Sequence, residues 1–215
     1  MTQNEKTWQQ FAALQDSINA KNKPLVPTTV LDSFNNETNL LELLLNIGKK
    51  QTNLKREELL NIMDRIGYHE SKNNPKQISI IDYDKNKNPI FGNDKGMFQY
   101  GAGEYNAAWT ASNRLKSVLS KRDLEHPAWL DTLAQNNYDM STLSKEKQQI
   151  LFMADKLKRE GNPMQGVDEP DELLDFWLND HWQGASIFPN KVEIRTNSFK
   201  DSMIDYDNKF LNKGN

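Results

Sequence analysis

Apolar side chains recur at three- and four-residue intervals along most of this chain, and a single stretch, Ile78 to Phe91, departs from that rhythm. A period of 3.6 lines one face of a helix and a period of 2 one face of a strand. The pattern therefore predicts a mainly α-helical protein with one small β-element. Trp8, Phe11, Leu14 and Ile18 trace a first amphipathic helix, and residues 21–37, with Pro24, Pro27 and Asn35-Asn36, read as a linker. A short leucine-rich helix follows over 39–48. Within 55–70, Leu59, Ile62, Met63 and Ile66 share a face, and Asn73-Asn74-Pro75 ends the helix because proline has no N–H to give. Ile78, Ile80 and Ile81, a polar turn over 85–89 and Ile90-Phe91 predict a small, irregular β-hairpin. Beyond Gly101-Ala102-Gly103 a helix is expected through Ala108, Trp109, Leu115 and Leu119, with others over 127–135, 145–160 and 170–183. Ser198 and Asp201 resemble a capping box opening a last helix, with Phe199, Met203, Tyr206 and Phe210 on its apolar face.

At 215 residues the chain fits one domain with an appendage, or one larger domain. Five Trp supply large units of buriable surface and argue against disorder. The net charge is −3, and residues 163–215 carry ten acidic against five basic side chains. No basic stripe of the kind a phosphate backbone requires is present, so nucleic acid is not an expected partner. The absence of Cys removes disulfides, thiolate zinc sites and Cys nucleophiles together. The richest apolar run, Leu40 to Ile47, is broken by Glu42 and Asn46, so no membrane span is expected, and Met1-Thr-Gln-Asn-Glu-Lys does not read as a signal peptide. Asp82, Asp84 and Asn86 are spaced like the start of a calcium loop, but Lys87 stands where its glycine belongs and Asn93 where its closing Glu belongs. Neither a metal nor a cofactor is expected.

Chemistry concentrates between Tyr68 and Tyr100. Glu70 lies four residues after Ile66 and eight after Ile62, so it continues the buried face of its helix. A carboxyl at the inner end of an apolar stripe is desolvated, which raises its pKa and lets it stay protonated near neutral pH. Such a group can hand a proton to a leaving oxygen. His69 points about 100° away from Glu70 around the helix, which argues against a catalytic pair. The aromatics Tyr68, Tyr100, Tyr105, Trp109, Trp177 and Trp182 divide between the core and faces on which a sugar ring could stack.

The blocks Glu70-Ser71 with Asn74-Pro75, and Gly96-Met97-Phe98-Gln99, resemble the signature of the lysozyme-like superfamily that cuts peptidoglycan, especially lytic transglycosylases and goose-type lysozymes. Two weaker blocks are similar to phage-encoded members: Leu143 to Gly161, and Phe176-Trp177-Leu178 with His181-Trp182-Gln183-Gly184-Ala185. The resemblance covers about residues 52–190, with a longer insert between the first two blocks than in the shortest members.

The resemblance implies a lysozyme-like α-helical domain over 51–215, with residues 1–50 as an attachment segment of helix, linker and short helix. It makes Glu70 the general acid and later the general base at the β-1,4 bond between N-acetylmuramic acid and N-acetylglucosamine. Ser71, Gly96, Gln99, Tyr100 and His181 become the expected substrate-binding residues. Ser71 would pack behind the acid, and Gly96 and Gly101 would let the backbone approach the glycan. Among Asp82, Asp84 and Asp94 no water-activating carboxylate is expected, which favours a transglycosylase over a hydrolase. The implied setting is a bacteriophage virion, with other virion or tail proteins as partners of the N-terminal segment. The rival expectation is a virion structural or assembly protein that keeps the fold without activity.

Overall fold

The computed structural model describes residues 36–157, 164, 167, 170–182 and 188–212. The helix expected around Trp8 to Ile18, nearly all of the linker, and Gly184-Ala185 lie outside these residues. Within them the chain is mainly α with a small antiparallel sheet, as the periodicity predicts. The order is α1 (Glu37–Thr52), α2 (Arg56–Ser71), β1 (Ile78–Tyr83), β2 (Pro89–Lys95), β3 (Tyr100–Gly101), α3 (Ala107–Ser120), α4 (Trp129–Gln135), α5 (Lys145–Leu157), α6 (Pro170–Phe176) and α7 (Val192–Tyr206).

Helix α1 begins where the Asn36 side chain accepts from the Thr38 N–H at 2.9 Å. It ends at Asn53, in the left-handed region, whose N–H returns to the Lys49 carbonyl. Its apolar residues surround the axis, and Leu40, Leu44 and Leu45 are fully buried. At Gly48 the helix comes so close to its neighbours that an added Cβ would lie 3.0 Å from Leu59 of α2 and 3.2 Å from Met153 of α5. Arg56 and Glu42 pair across α1 and α2. Residues 37–52 thus pack into one core with α2 and α5, whereas the expected attachment segment extends to residue 50. The leucine run Leu40–Leu45 is the physical reason: burying it needs two neighbouring helices.

The hairpin has irregular register, slipping between Ile78 and Ile80 and again between Ile80 and Asp82. Asp84 closes its turn by accepting from the Asn86 and Asn88 N–H groups, each at 2.8 Å. The two-residue β3, too short to read from periodicity, pairs Gly101 with Asp94 and Tyr100 with Lys95. Tyr83 and Phe91 stand exposed on this hairpin.

Helix α5 lies against α1 and α3 and is buried on every side from Gln148 to Leu157. Its polar members are paired inside. Asp155 meets the Arg114 guanidinium, the Tyr100 hydroxyl at 3.1 Å and Lys156 Nζ at 3.0 Å. Lys156 Nζ also donates to the Asp180 carbonyl at 2.8 Å.

Two expectations about the C-terminal third are corrected. The helix expected over 170–183 is α-helical only to Phe176 and continues as a π-turn, Trp177–Trp182. The last helix starts at Val192, six residues before Ser198, so no capping box forms there. A 3₁₀ turn, Pro189–Lys191, leads into it, and Pro189 presets the backbone angle that nucleates the helix upstream. Phe199, Met203 and Tyr206 form its buried face as expected, while Phe210 is about half exposed in a following turn.

Candidate active site

The buried stripe of α2, Leu59, Ile62, Met63 and Ile66, leads directly to Glu70 in the last turn of the helix. Lys72 then takes the left-handed conformation, with its N–H on the Tyr68 carbonyl, and Asn73 sends its N–H to Gly67. The chain is thus stopped one residue past Ser71, and Glu70 stays on the inner face.

Ser71 fastens this helix end to the loop at residues 96–99. Its Oγ accepts from the Asn74 N–H at 3.1 Å, and its single proton reaches the Gly67 carbonyl at 3.0 Å or that of Met97 at 2.9 Å. The loop is clamped from the other side by Gln148. The Gln148 carbonyl oxygen accepts from the Met97 N–H, and its amide nitrogen lies 2.9 Å from both the Pro75 and Met140 carbonyls. Gly96 turns the loop with φ +81, and an added Cβ would sit 2.5 Å from Gln148 Oε1 and 2.9 Å from Met140 Cβ. Gly96→Ala is therefore expected to cost about 2–3 kcal/mol, from left-handed strain and overpacking, as read by urea unfolding. A loss below about 0.5 kcal/mol would show that the clamp yields freely.

These contacts place four of the expected substrate-binding residues against interior partners. Ser71 is buried and internally bonded. Gly96 faces Gln148 and leaves no gap for a glycan. Tyr100 is 4% exposed, with its hydroxyl on Asp155. The His181 side chain is 4% exposed, with Nε2 3.1 Å from the Phe98 carbonyl. Gln99 differs. Its amide nitrogen donates to the Gly96 carbonyl at 2.7 Å, and its amide oxygen has no partner among the described residues, so that acceptor is free for a ligand.

The Glu70 side chain is 14% exposed, and its carboxyl receives one strong hydrogen bond, from the Trp177 indole N–H to Oε1 at 2.6 Å. His181 Nε2 approaches the same oxygen at 3.7 Å. Burial pushes the carboxyl up to about 7, against the pull of the Trp177 bond and of the Arg195 guanidinium, with Asp94 adding to the rise. The desolvation expected from the apolar stripe is therefore present. Asp94 is also raised, first by its own partial desolvation and against Arg195. The other two candidates stand differently: Asp84 serves its turn, and the side chain of Asp82 is outside the described ones.

The two nearby histidines stay neutral. Burial holds His181 well below its ordinary range, helped by the charge of Lys156. Burial, then Arg195 and Lys72, bring His69 down to about 4. His69 makes no hydrogen bond to Glu70 among the described residues. Its Nδ1 lies 3.1 Å from the Ser202 hydroxyl, and its ring meets Trp177 edge-on at 4.5 Å.

Sequence reasoning missed the roles of Trp177 and Arg195. Trp177 gave a partial signal within the block Phe176-Trp177-Leu178. Arg195 gave none, because the last helix was expected to begin after it. Its guanidinium lies 5.6 Å from the Trp182 ring and makes no ion pair among the described residues. Comparison with protein families, curated proteins and solved structures finds no match to the chain.

Proposed function

We propose that the chain cleaves the β-1,4 bond between N-acetylmuramic acid and N-acetylglucosamine in peptidoglycan, with Glu70 as the acid–base residue. One observation carries the reading. Glu70 ends a buried apolar stripe with a carboxyl that burial pushes up to about 7, beside a loop held to its own helix through Ser71 and Met97. The two sequence blocks that resemble peptidoglycan-cleaving enzymes are the two segments this contact joins.

In the proposed reaction, protonated Glu70 gives its proton to the glycosidic oxygen as the bond to the muramyl C1 breaks. The resulting carboxylate then takes the proton of the group that attacks C1. If that group is the sugar's own 6-hydroxyl, the product is a 1,6-anhydro end and no water is consumed. The free amide oxygen of Gln99 is suited to accept from an acetamido N–H. Residues 1–37 remain the proposed attachment segment to a virion or tail particle, and α1 stays with the catalytic core. A zymogram on purified sacculi tests the activity: clearing is expected for the parent chain and none for Glu70→Gln. Equal bands for the two would remove Glu70 from the mechanism, and none for either would favour a non-catalytic assembly protein.

Asp94 supports a second reading, hydrolysis, because it is close enough to raise Glu70 electrostatically. The proposal keeps transglycosylation first, since the two sequence blocks resemble more closely the members that work with a single Glu. Asp94→Asn is expected to lower the rate less than tenfold, about 1.4 kcal/mol of barrier, with anhydro ends still dominant by mass spectrometry. Reducing muramic ends that vanish in Asp94→Asn would make the chain a two-carboxylate lysozyme.

A further inference from the structure

The two oxygens of Glu70 are not equivalent. Oε1 accepts the Trp177 N–H at 2.6 Å and faces His181 Nε2 at 3.7 Å, whereas Oε2 has no donor among the described residues. His181 Nε2 also faces the Phe98 carbonyl, which can only accept, so in the neutral ring the hydrogen is on Nε2. Both nearby N–H groups therefore crowd one oxygen.

We infer that Trp177 is a positioning residue: its indole N–H occupies Glu70 Oε1 and so directs the transferable proton onto Oε2. This rests on the reading of Glu70 as the acid. An oxygen already accepting a short hydrogen bond is the poorer place for a proton, and the same bond fixes the plane of the carboxyl. The chemistry of the donor suits the task. An indole N–H does not titrate, whereas a Lys or Arg at this distance would hold Glu70 ionised at neutral pH.

The π-turn supplies the placement. Its i→i+5 bonding widens the helix, so Trp177 and His181, four residues apart, both reach Oε1, while Trp182, five apart, stacks on Trp177 at 5.7 Å and 9°. Trp177 is wholly buried, with Phe199 at 5.0 Å on a ring face and His69 at its edge. Lys156 fastens the turn through the Asp180 carbonyl.

Besides burial, three groups act on the titration of Glu70: Trp177 of the π-turn, Arg195 of α7 and Asp94 of β2. His181 Nε2, also of the π-turn, lies 3.7 Å from Oε1, and the His69 ring on α2 meets the Trp177 ring. Removing only the indole N–H tests the first of the three. Replacing Trp177 with benzothienylalanine puts sulfur in place of N–H and keeps both rings, and Trp177→Phe removes the donor with a smaller ring. The Glu70 carboxyl is titrated by ¹³C NMR in the full chain, with Glu70→Gln for assignment, and sacculus clearing is followed against pH.

Loss of a donor to the ionised form should raise the Glu70 midpoint by about one pH unit in both variants, and the alkaline limb of clearing should move up with it. The rate at pH 6 should fall about tenfold, because the proton is no longer assigned to one oxygen. A midpoint that stays within ~0.3 unit in the benzothienyl variant would overturn the inference, even if activity fell, since a purely structural role moves activity alone. If the parent clears no wall, the proposed function fails, and the titration still decides the role of Trp177.

Discussion

Glu70→Gln is expected to lower wall cleavage by about 10²–10⁴-fold, because it keeps the shape of the side chain and removes its only transferable proton. The same change should stabilise the fold at alkaline pH. The folded protein holds the Glu70 proton up to about pH 7, whereas the unfolded chain releases it near 4.5. Stability of the parent therefore falls as pH rises through that window, and the buried carboxylate costs on the order of 3 kcal/mol above it. Glu70→Gln escapes that cost. Its unfolding midpoint should match the parent near pH 5 and exceed it near pH 8. The neutral histidines His69 and His181 weaken both proteins alike as pH falls below their ordinary range, so the difference between the two isolates Glu70. A variant that clears walls like the parent would remove Glu70 from the mechanism, and an unchanged difference between pH 5 and 8 would mean its carboxyl is not desolvated.

Asp155→Asn carries the second large effect, this time on stability. Asp155 is 7% exposed and is the shared anion for Arg114 and Lys156, the latter only 1% exposed. The amide keeps a contact to the Tyr100 hydroxyl but leaves two cations against an uncharged group. Breaking a buried pair from one side costs about 3–5 kcal/mol, and urea unfolding should show a loss of that size. Activity should fall too, since Lys156 also fastens the π-turn that carries Trp177 and His181. A loss below about 1 kcal/mol would mean that water already reaches this cluster.

What the sequence made legible follows from what is local. The inner stripe of α2 and its stop before Pro75 follow from periodicity and proline chemistry, and they place Glu70 on a buried face. The hairpin follows from its isoleucines and the polar turn, although its register slips do not. Helix α5 shows the limit. Gln148, Asp155 and Lys156 are polar, yet each is buried because its partners, among them Pro75, Tyr100, Arg114 and Asp180, come from distant segments. The π-turn was hidden for the same reason. Residues 170–182 look like one continuous helix, and the widening at Trp177 goes with long-range contacts: Lys156 to the Asp180 carbonyl and Trp177 to Glu70. Of the expected site, Glu70 and Gln99 remain as candidates to touch a ligand. Ser71, Gly96, Tyr100 and His181 follow from the same resemblance, and the structure places them against interior partners.

Mass spectrometry of the soluble fragments released from purified sacculi tests the central claim most directly, because it reads which bond was cut. The proposed reaction predicts glycan fragments whose new C1 ends are muramic acid, in anhydro form, released by the parent chain and not by Glu70→Gln. New reducing ends at N-acetylglucosamine, free stem peptides, or fragments released equally by the two proteins would contradict it.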